Sequence, residues 1–148
     1  MPNATRSLVV LCGVLVLDAC ARRAPRVDLL PLAGGVGAFV AAHPLAPAQN
    51  IRADEVGRTA SASYHLVQVR GGESPHRHMA HDLTVVVLDG GGTLDRGERR
   101  IVLAPGDVAV IPRGEVHWFT KRGRGNALAF VIFSPPLDAP DNVPASDR

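Results

Sequence analysis

Gly106-Asp107-Val108-Ala109-Val110-Ile111-Pro112-Arg113-Gly114-Glu115-Val116-His117 is the stretch on which the fold turns. Its apolar run, Val108 to Ile111, is too short for a helix and suits a buried strand. A glycine that tolerates positive φ opens the run, and a proline with a fixed φ closes it. The chain then re-extends from Val116, so His117 stands at the start of a further strand beside a tight turn.

The same rhythm continues in both directions. Short runs of β-type residues cover Ile51 to Arg58, Ser61 to Arg70, Leu83 to Leu88, Arg99 to Leu103, Val116 to Thr120 and Ala127 to Phe133. Breakers separate most of them: Gly71-Gly72, Asp89-Gly90-Gly91-Gly92, Pro105-Gly106, Arg113-Gly114 and Gly123 to Asn126. Many short strands between Gly- and Pro-rich turns predict an all-β sandwich or barrel. Only Val36 to Ala42 reads as helix. Gly34-Gly35-Val36-Gly37 has no preceding strand and no following lysine, so it reads as a turn rather than a phosphate loop.

With 148 residues, 46% hydrophobic and 20% charged, the chain predicts one compact domain and leaves no room for a second catalytic one. Its 16 basic residues are scattered against 14 acidic ones, for a net charge of +2, so no basic stripe exists to neutralise phosphates. Nucleic acid is not an expected partner.

The first residues read as an address. Arg6 precedes an apolar run from Leu8 to Leu17, too short to span a bilayer, and a small residue, Ala19, precedes Cys20. This predicts a signal peptide over 1–19. Leu17-Asp18-Ala19-Cys20 resembles the lipobox of bacterial lipoproteins, although Asp18 occupies a position where a small or aliphatic residue is usual. The resemblance implies lipidation at Cys20, and hence a protein tethered at the membrane and facing the periplasm or cell exterior; secretion as a soluble protein is the alternative. Cys12 would leave with the leader, so no internal disulfide is expected. Residues 20–48 then read as a tether and leading segment, 49–134 as the folded domain, and 135–148, with Pro135, Pro136, Pro140 and Pro144, as a loosely packed tail.

Chemistry is concentrated in the histidines. His76 and His78 are two apart, which on an extended strand puts both imidazoles on one face, where both can reach one metal ion at about 2.0 to 2.2 Å. On a helix they would diverge by about 200°. His81 follows closely, and His117 lies beyond the Pro112-Arg113-Gly114 turn. His65 sits mid-strand as a second-shell or pocket candidate, His43 lies in a loop before Pro44, and Glu73 and Tyr64 could bound a pocket mouth. Trp118 and Phe119 read chiefly as packing residues.

Gly71 to His117 resembles the two conserved motifs of the cupin superfamily, G-x5-H-x-H-x3,4-E-x6-G and a second motif containing G-x5-P-x-G-x2-H. Every fixed position of the latter is filled, by Gly106, Pro112, Gly114 and His117. The resemblance implies a single antiparallel β-barrel, or double-stranded jelly roll, over roughly residues 50 to 134. It implies His76, His78 and His117 as metal ligands, with Gly106, Pro112 and Gly114 as structural turn residues. The family's Glu is absent. Asp82 stands near its place, but strand parity turns Asp82 outward if Val85 and Val87 face the interior, and then favours His81 as a fourth ligand. Lys121 replaces the closing Asn, and one residue is missing between Gly71 and His76.

The implied cofactor is one divalent transition metal ion: Fe, Mn, Zn, Cu or Ni. The implied activity is metal-dependent oxygenation, isomerisation or decarboxylation of a small carbonyl, enol or phenolic molecule, with His81, Asp82 or His65 moving a proton. The alternative is a non-catalytic, membrane-tethered module that binds a metal or small molecule. A homodimer is expected from exposed strands and from the family resemblance.

Overall fold

The computed structural model describes residues 32–145; the leader, Cys20 and the first part of the tether lie outside the described residues. One helix, α1 (Gly35–Ala42), precedes ten strands: β1 (Ile51–Arg58), β2 (Ser63–Val69), β3 (His76–His78), β4 (Asp82–Asp89), β5 (Gly92–Arg96), β6 (Arg99–Leu103), β7 (Val108–Ile111), β8 (His117–Lys121), β9 (Ala127–Ser134) and β10 (Asn142–Pro144). They form two five-stranded sheets, ordered β1-β2-β9-β4-β7 and β10-β3-β8-β5-β6, with every pairing antiparallel. This is the jelly-roll architecture expected from the strand pattern and the resemblance.

Side chains alternate across each strand, and the alternation fixes what faces inward. In β7 Ala109 and Ile111 are buried, whereas Val108 and Val110 are more than half exposed. Leu83, Val87, Leu94, Leu103, Ile111, Val131 and Phe133 meet as one apolar cluster drawn from both sheets. The same inward face of β3 and β8 carries His76, His78 and His117, all buried. Metal-ligand candidates therefore share a surface with the core.

Three strands escape the sequence pattern. β3 has only three residues, and β5 begins at a glycine that reads as part of a breaker. Gly92 is nonetheless a strand residue, paired with both Leu103 and Lys121. A side chain there would collide with the Thr120 carbonyl and the Phe119 ring, so a close approach, not a turn, accounts for this glycine.

The third is β10. The segment after Ser134, expected to trail, instead lies along β3, with Asn142, Val143 and Pro144 opposite His78, Arg77 and His76. β3 would otherwise be an edge strand with unpaired backbone groups, and β10 covers that edge. Pro144 ends the short strand at the sheet margin, where a missing N–H is tolerated. A Leu137 N–H bond to the buried Ser63 hydroxyl anchors the segment on the other sheet.

Candidate metal centre

Three elements bring the imidazoles together. His76 and His78 project from the same face of β3, and the β3–β8 pairing sets His76 directly opposite His117. The turn before β8 is tied to β3: Gly114, at φ 79°, donates its N–H to the His78 carbonyl at 2.7 Å. Gly106, at φ 96°, donates to the Val87 carbonyl at 2.9 Å. Both glycines hold left-handed conformations that other residues rarely adopt. Ring centroids are 4.4 Å apart for His76 and His117, 5.1 Å for His76 and His78, and 5.5 Å for His78 and His117. Each ring offers a nitrogen within 4.8 Å of the others.

The hydrogen bonds decide which nitrogen is offered. His76 Nδ1 faces the Ser74 carbonyl at 2.9 Å, His117 Nδ1 faces the Glu115 carbonyl at 3.0 Å, and His78 Nδ1 faces the Asp141 carboxylate at 2.6 Å. Each Nδ1 thus meets an acceptor and carries the proton, leaving Nε2 with its lone pair free. Three imidazoles whose Nδ1 atoms are engaged in this way turn their Nε2 atoms toward one another, the donor set that a borderline divalent ion requires. Burial pushes His117 down to about 4, outweighing the Glu115 carbonyl bond that opposes it, so this ring is neutral near pH 7. The donor chemistry fits a divalent transition metal held by His76, His78 and His117.

His81 is not brought to this set. Its Nδ1 lies 2.6 Å from Asp141 and its Nε2 lies 3.2 Å from the Pro136 carbonyl, so neither nitrogen is left free for a cation. Parity placed its side chain inward, as expected, but the β10 segment supplies acceptors that occupy it. Asp82 points outward in a bidentate pair with Arg113, which holds its carboxyl down to about 2. His65 is buried against Ser63, with Nε2 2.9 Å from the hydroxyl, and packs edge-on against Phe133. None of the three residues assigned to proton transfer lines the cavity beside the histidines.

Two further groups bear on the site, and the first, Asp141, emerges only from the fold. Asp141 receives His78 through one oxygen, and His81 and the Ala80 N–H through the other. Burial alone would raise its carboxyl, but these hydrogen bonds outweigh burial and hold it near 2. Asp141 is thus a carboxylate that orients a ligand ring. Nothing in the sequence marks it, since it lies in a proline-rich segment 63 residues beyond His78.

The other is Glu73. Its backbone is fixed across β8 by an N–H bond to the Phe119 carbonyl, and its Oε2 accepts the Phe119 N–H at 2.9 Å. Burial pushes this carboxyl up, against the pull of His76, the Phe119 N–H and His78.

Glu73 and the three histidines line one end of a cavity of about 270 Å³ between the sheets. Most of its remaining wall is aliphatic or aromatic, including Val67, Leu83, Val85, Val131 and Phe133, and Asn142 also lines it.

A family model for the cupin domain matches residues 63–133, which contain all three histidines. The chain is 37% identical over 95 residues to an uncharacterized protein of Aquifex aeolicus, covering 64% of this chain and 78% of that one. The chain carries a cupin domain over residues 63–133. Among solved structures, this cupin is similar to KdgF from Halomonas sp., with 26% identity, a TM-score of 0.55, and 62% and 84% of the two chains covered. A conserved Klebsiella pneumoniae protein with a double-stranded β-helix domain shares the fold at 17% identity and a TM-score of 0.59, over 72% of this chain and 94% of that one.

Proposed function

We propose that this cupin is a metal-dependent enzyme that oxygenates, isomerises or decarboxylates a small carbonyl, enol or phenolic molecule. The observation that carries the reading is the set His76, His78 and His117, each with Nδ1 on an acceptor, in the wall of a largely apolar cavity. A bound divalent ion would supply Lewis acidity, polarising a substrate oxygen. The protein supplies the rest. The apolar walls exclude water and strengthen electrostatic contacts at the polar end. Glu73, rather than His81, Asp82 or His65, is the carboxyl available to hold or move a proton there.

A second reading, a tethered module that binds without catalysis, is favoured by the engagement of His81, Asp82 and His65 elsewhere. The leader and Cys20 support an exported, lipid-anchored location under either reading. Exposed Val102 on β6 and Val108 and Val110 on β7, at the free edges of both sheets, support a homodimer.

Metal analysis of protein purified without chelator, followed by oxygen uptake and product analysis with diketones, flavonols and phenols, tests the reading. Stoichiometric transition metal with turnover supports the enzyme. Metal with saturable binding and no turnover supports the module, and a metal-free protein that takes up no added ion overturns both.

A further inference from the structure

The segment that follows β9 forms part of the cavity wall and also reaches the candidate ligand rings. Leu137, Pro140 and Asn142 line the cavity, while Asp141 bonds to His78. Wall residues and carboxylate are consecutive in the chain, at 140, 141 and 142, so they move together.

Three sets of contacts hold this strap down. At its start the Leu137 N–H donates to the buried Ser63 hydroxyl at 2.9 Å, and Arg58 reaches Asp138 and the Leu137 carbonyl. At its end β10 pairs with β3, and the Ala145 N–H donates to the Pro75 carbonyl at 2.9 Å. Between them stands His81. Its Nδ1 lies 2.6 Å from Asp141 Oδ2 and its Nε2 lies 3.2 Å from the Pro136 carbonyl, so both of its acceptors belong to the strap. The ring is 6% exposed and packs edge-on against Phe133 of the apolar core. The barrel fixes His81, and His81 fixes the strap. The Arg58–Asp138 pair is solvent-exposed and contributes little, whereas hydrogen bonds to a carboxylate inside the fold are the stronger kind.

Resting on the reading of His76, His78 and His117 as a metal centre, we infer that residues 135–144 form a clasp whose closure and metal binding reinforce each other, with His81 as the positioning residue that sets Asp141 against His78. Linkage is reciprocal: whatever factor the docked Asp141 adds to metal affinity, a bound ion adds to the stability of the docked strap. For the outer partner of a ligand histidine that factor is about 10 to 100. Release of the strap would withdraw Leu137, Pro140 and Asn142 from the wall and free His78 from its carboxylate in one movement. Widening the cavity and loosening the ion are one event.

The test is amide hydrogen exchange on the full chain, metal-free and saturated with Zn²⁺, a redox-silent probe, with affinity measured in parallel against a chelating indicator. Zinc is expected to slow exchange by about 10- to 100-fold at Leu137, at Ala145 and at Ala80, whose N–H donates to Asp141. No comparable slowing is expected at Asp107, whose N–H bonds the Ala104 carbonyl in the β6–β7 turn. His81→Ala is expected to keep one ion per chain, to bind it roughly tenfold more weakly, and to lose most of the zinc-dependent slowing at Leu137. His81→Gln retains a side-chain donor and is expected to recover part of both. A merely structural His81 would lower thermal stability and leave affinity and zinc-dependent slowing unchanged.

Stoichiometric zinc with unchanged exchange at Ala80, Leu137 and Ala145 overturns the clasp and leaves the metal centre standing. So does equal slowing at Asp107, which reports only the general stabilisation of a protein by its ligand. Both comparisons need only the wild-type chain and stand even where a variant fails to fold. A folded His81→Ala protein with wild-type affinity and wild-type slowing overturns the role of His81. A chain that takes up neither zinc nor any other added divalent ion overturns the metal centre, and the clasp with it.

Discussion

Asp141 Oδ1 lies 2.6 Å from His78 Nδ1, joining the C-terminal segment to a candidate ligand ring across 63 residues of sequence. A carboxylate in this position fixes ring orientation and raises the basicity of the opposite nitrogen. Asp141→Ala is expected to weaken metal binding by roughly 10- to 100-fold, the usual effect of removing such a partner, while leaving the β-sheet circular dichroism intact. Competition with a chelating indicator measures the affinity.

The histidines separate into three that converge and others that are bound elsewhere. His76→Ala or His117→Ala is expected to abolish stoichiometric metal, whereas His81→Ala and Asp82→Ala keep one ion per chain. Inductively coupled plasma mass spectrometry on all four variants decides between a three-His and a four-ligand site. Loss of the ion in His81→Ala with Asp141 still docked would restore His81 as a ligand.

The metal-free protein should lose stability as pH falls from about 6.5 toward 4. His117 is depressed to about 4 when folded, mainly by burial, against about 6.5 in an unfolded chain. Between those values the unfolded state binds more protons, so the contribution is complete above about pH 6.5, declines as pH falls, and levels off below about 4. Urea unfolding across this window is expected to show a slope that flattens by up to about one proton in His117→Asn.

Gly92→Ala is expected to destabilise the fold by roughly 1 to 3 kcal/mol or to prevent folding, because the added methyl meets the Thr120 carbonyl and the Phe119 ring. Glycine at position 97, with nothing within 4 Å of an added Cβ, lacks that steric conflict; its φ of 55° makes Gly97→Ala a milder, purely conformational control. Thermal unfolding of both variants measures the difference.

For the amino-terminal segment, which lies outside the described residues, lipid attachment at Cys20 predicts a mobility shift and incorporation of labelled palmitate. Cys20→Ala is expected to abolish both and to release the domain from the membrane fraction.

Much of this was legible before any coordinates, and the reasons are local. Strands β1, β6 and β7 match their sequence boundaries; β6 and β7 do so because a run of β-type residues is ended by a nearby proline, whereas β1 holds Gly57 inside it. The convergence of His76, His78 and His117 follows from period-two alternation plus a turn motif with all fixed positions filled. β5 was hidden because Gly92 serves a packing constraint that only a neighbouring strand reveals. β10 and Asp141 were hidden because their contacts are long-range: a three-residue strand rich in proline has no periodicity to detect. His81 was read with the correct facing and the wrong partner, since its acceptors come from that same distant segment. Glu73 gives no pattern signal in a loop, and its burial becomes visible only once Phe119 is laid beside it.

Because β10 docks on β3, the candidate metal centre is completed by the carboxy-terminal end of the folding domain. The sheets are nearly complete by Ser134, but His78 gains its carboxylate only after residues 135–144 find their groove. With β9 in place, residues 135–141 must still be ordered before β10 pairs with β3, which places this contact late. Maturation of the pocket should therefore lag behind collapse of the barrel, with an intermediate that already has native sheets yet captures its ion weakly.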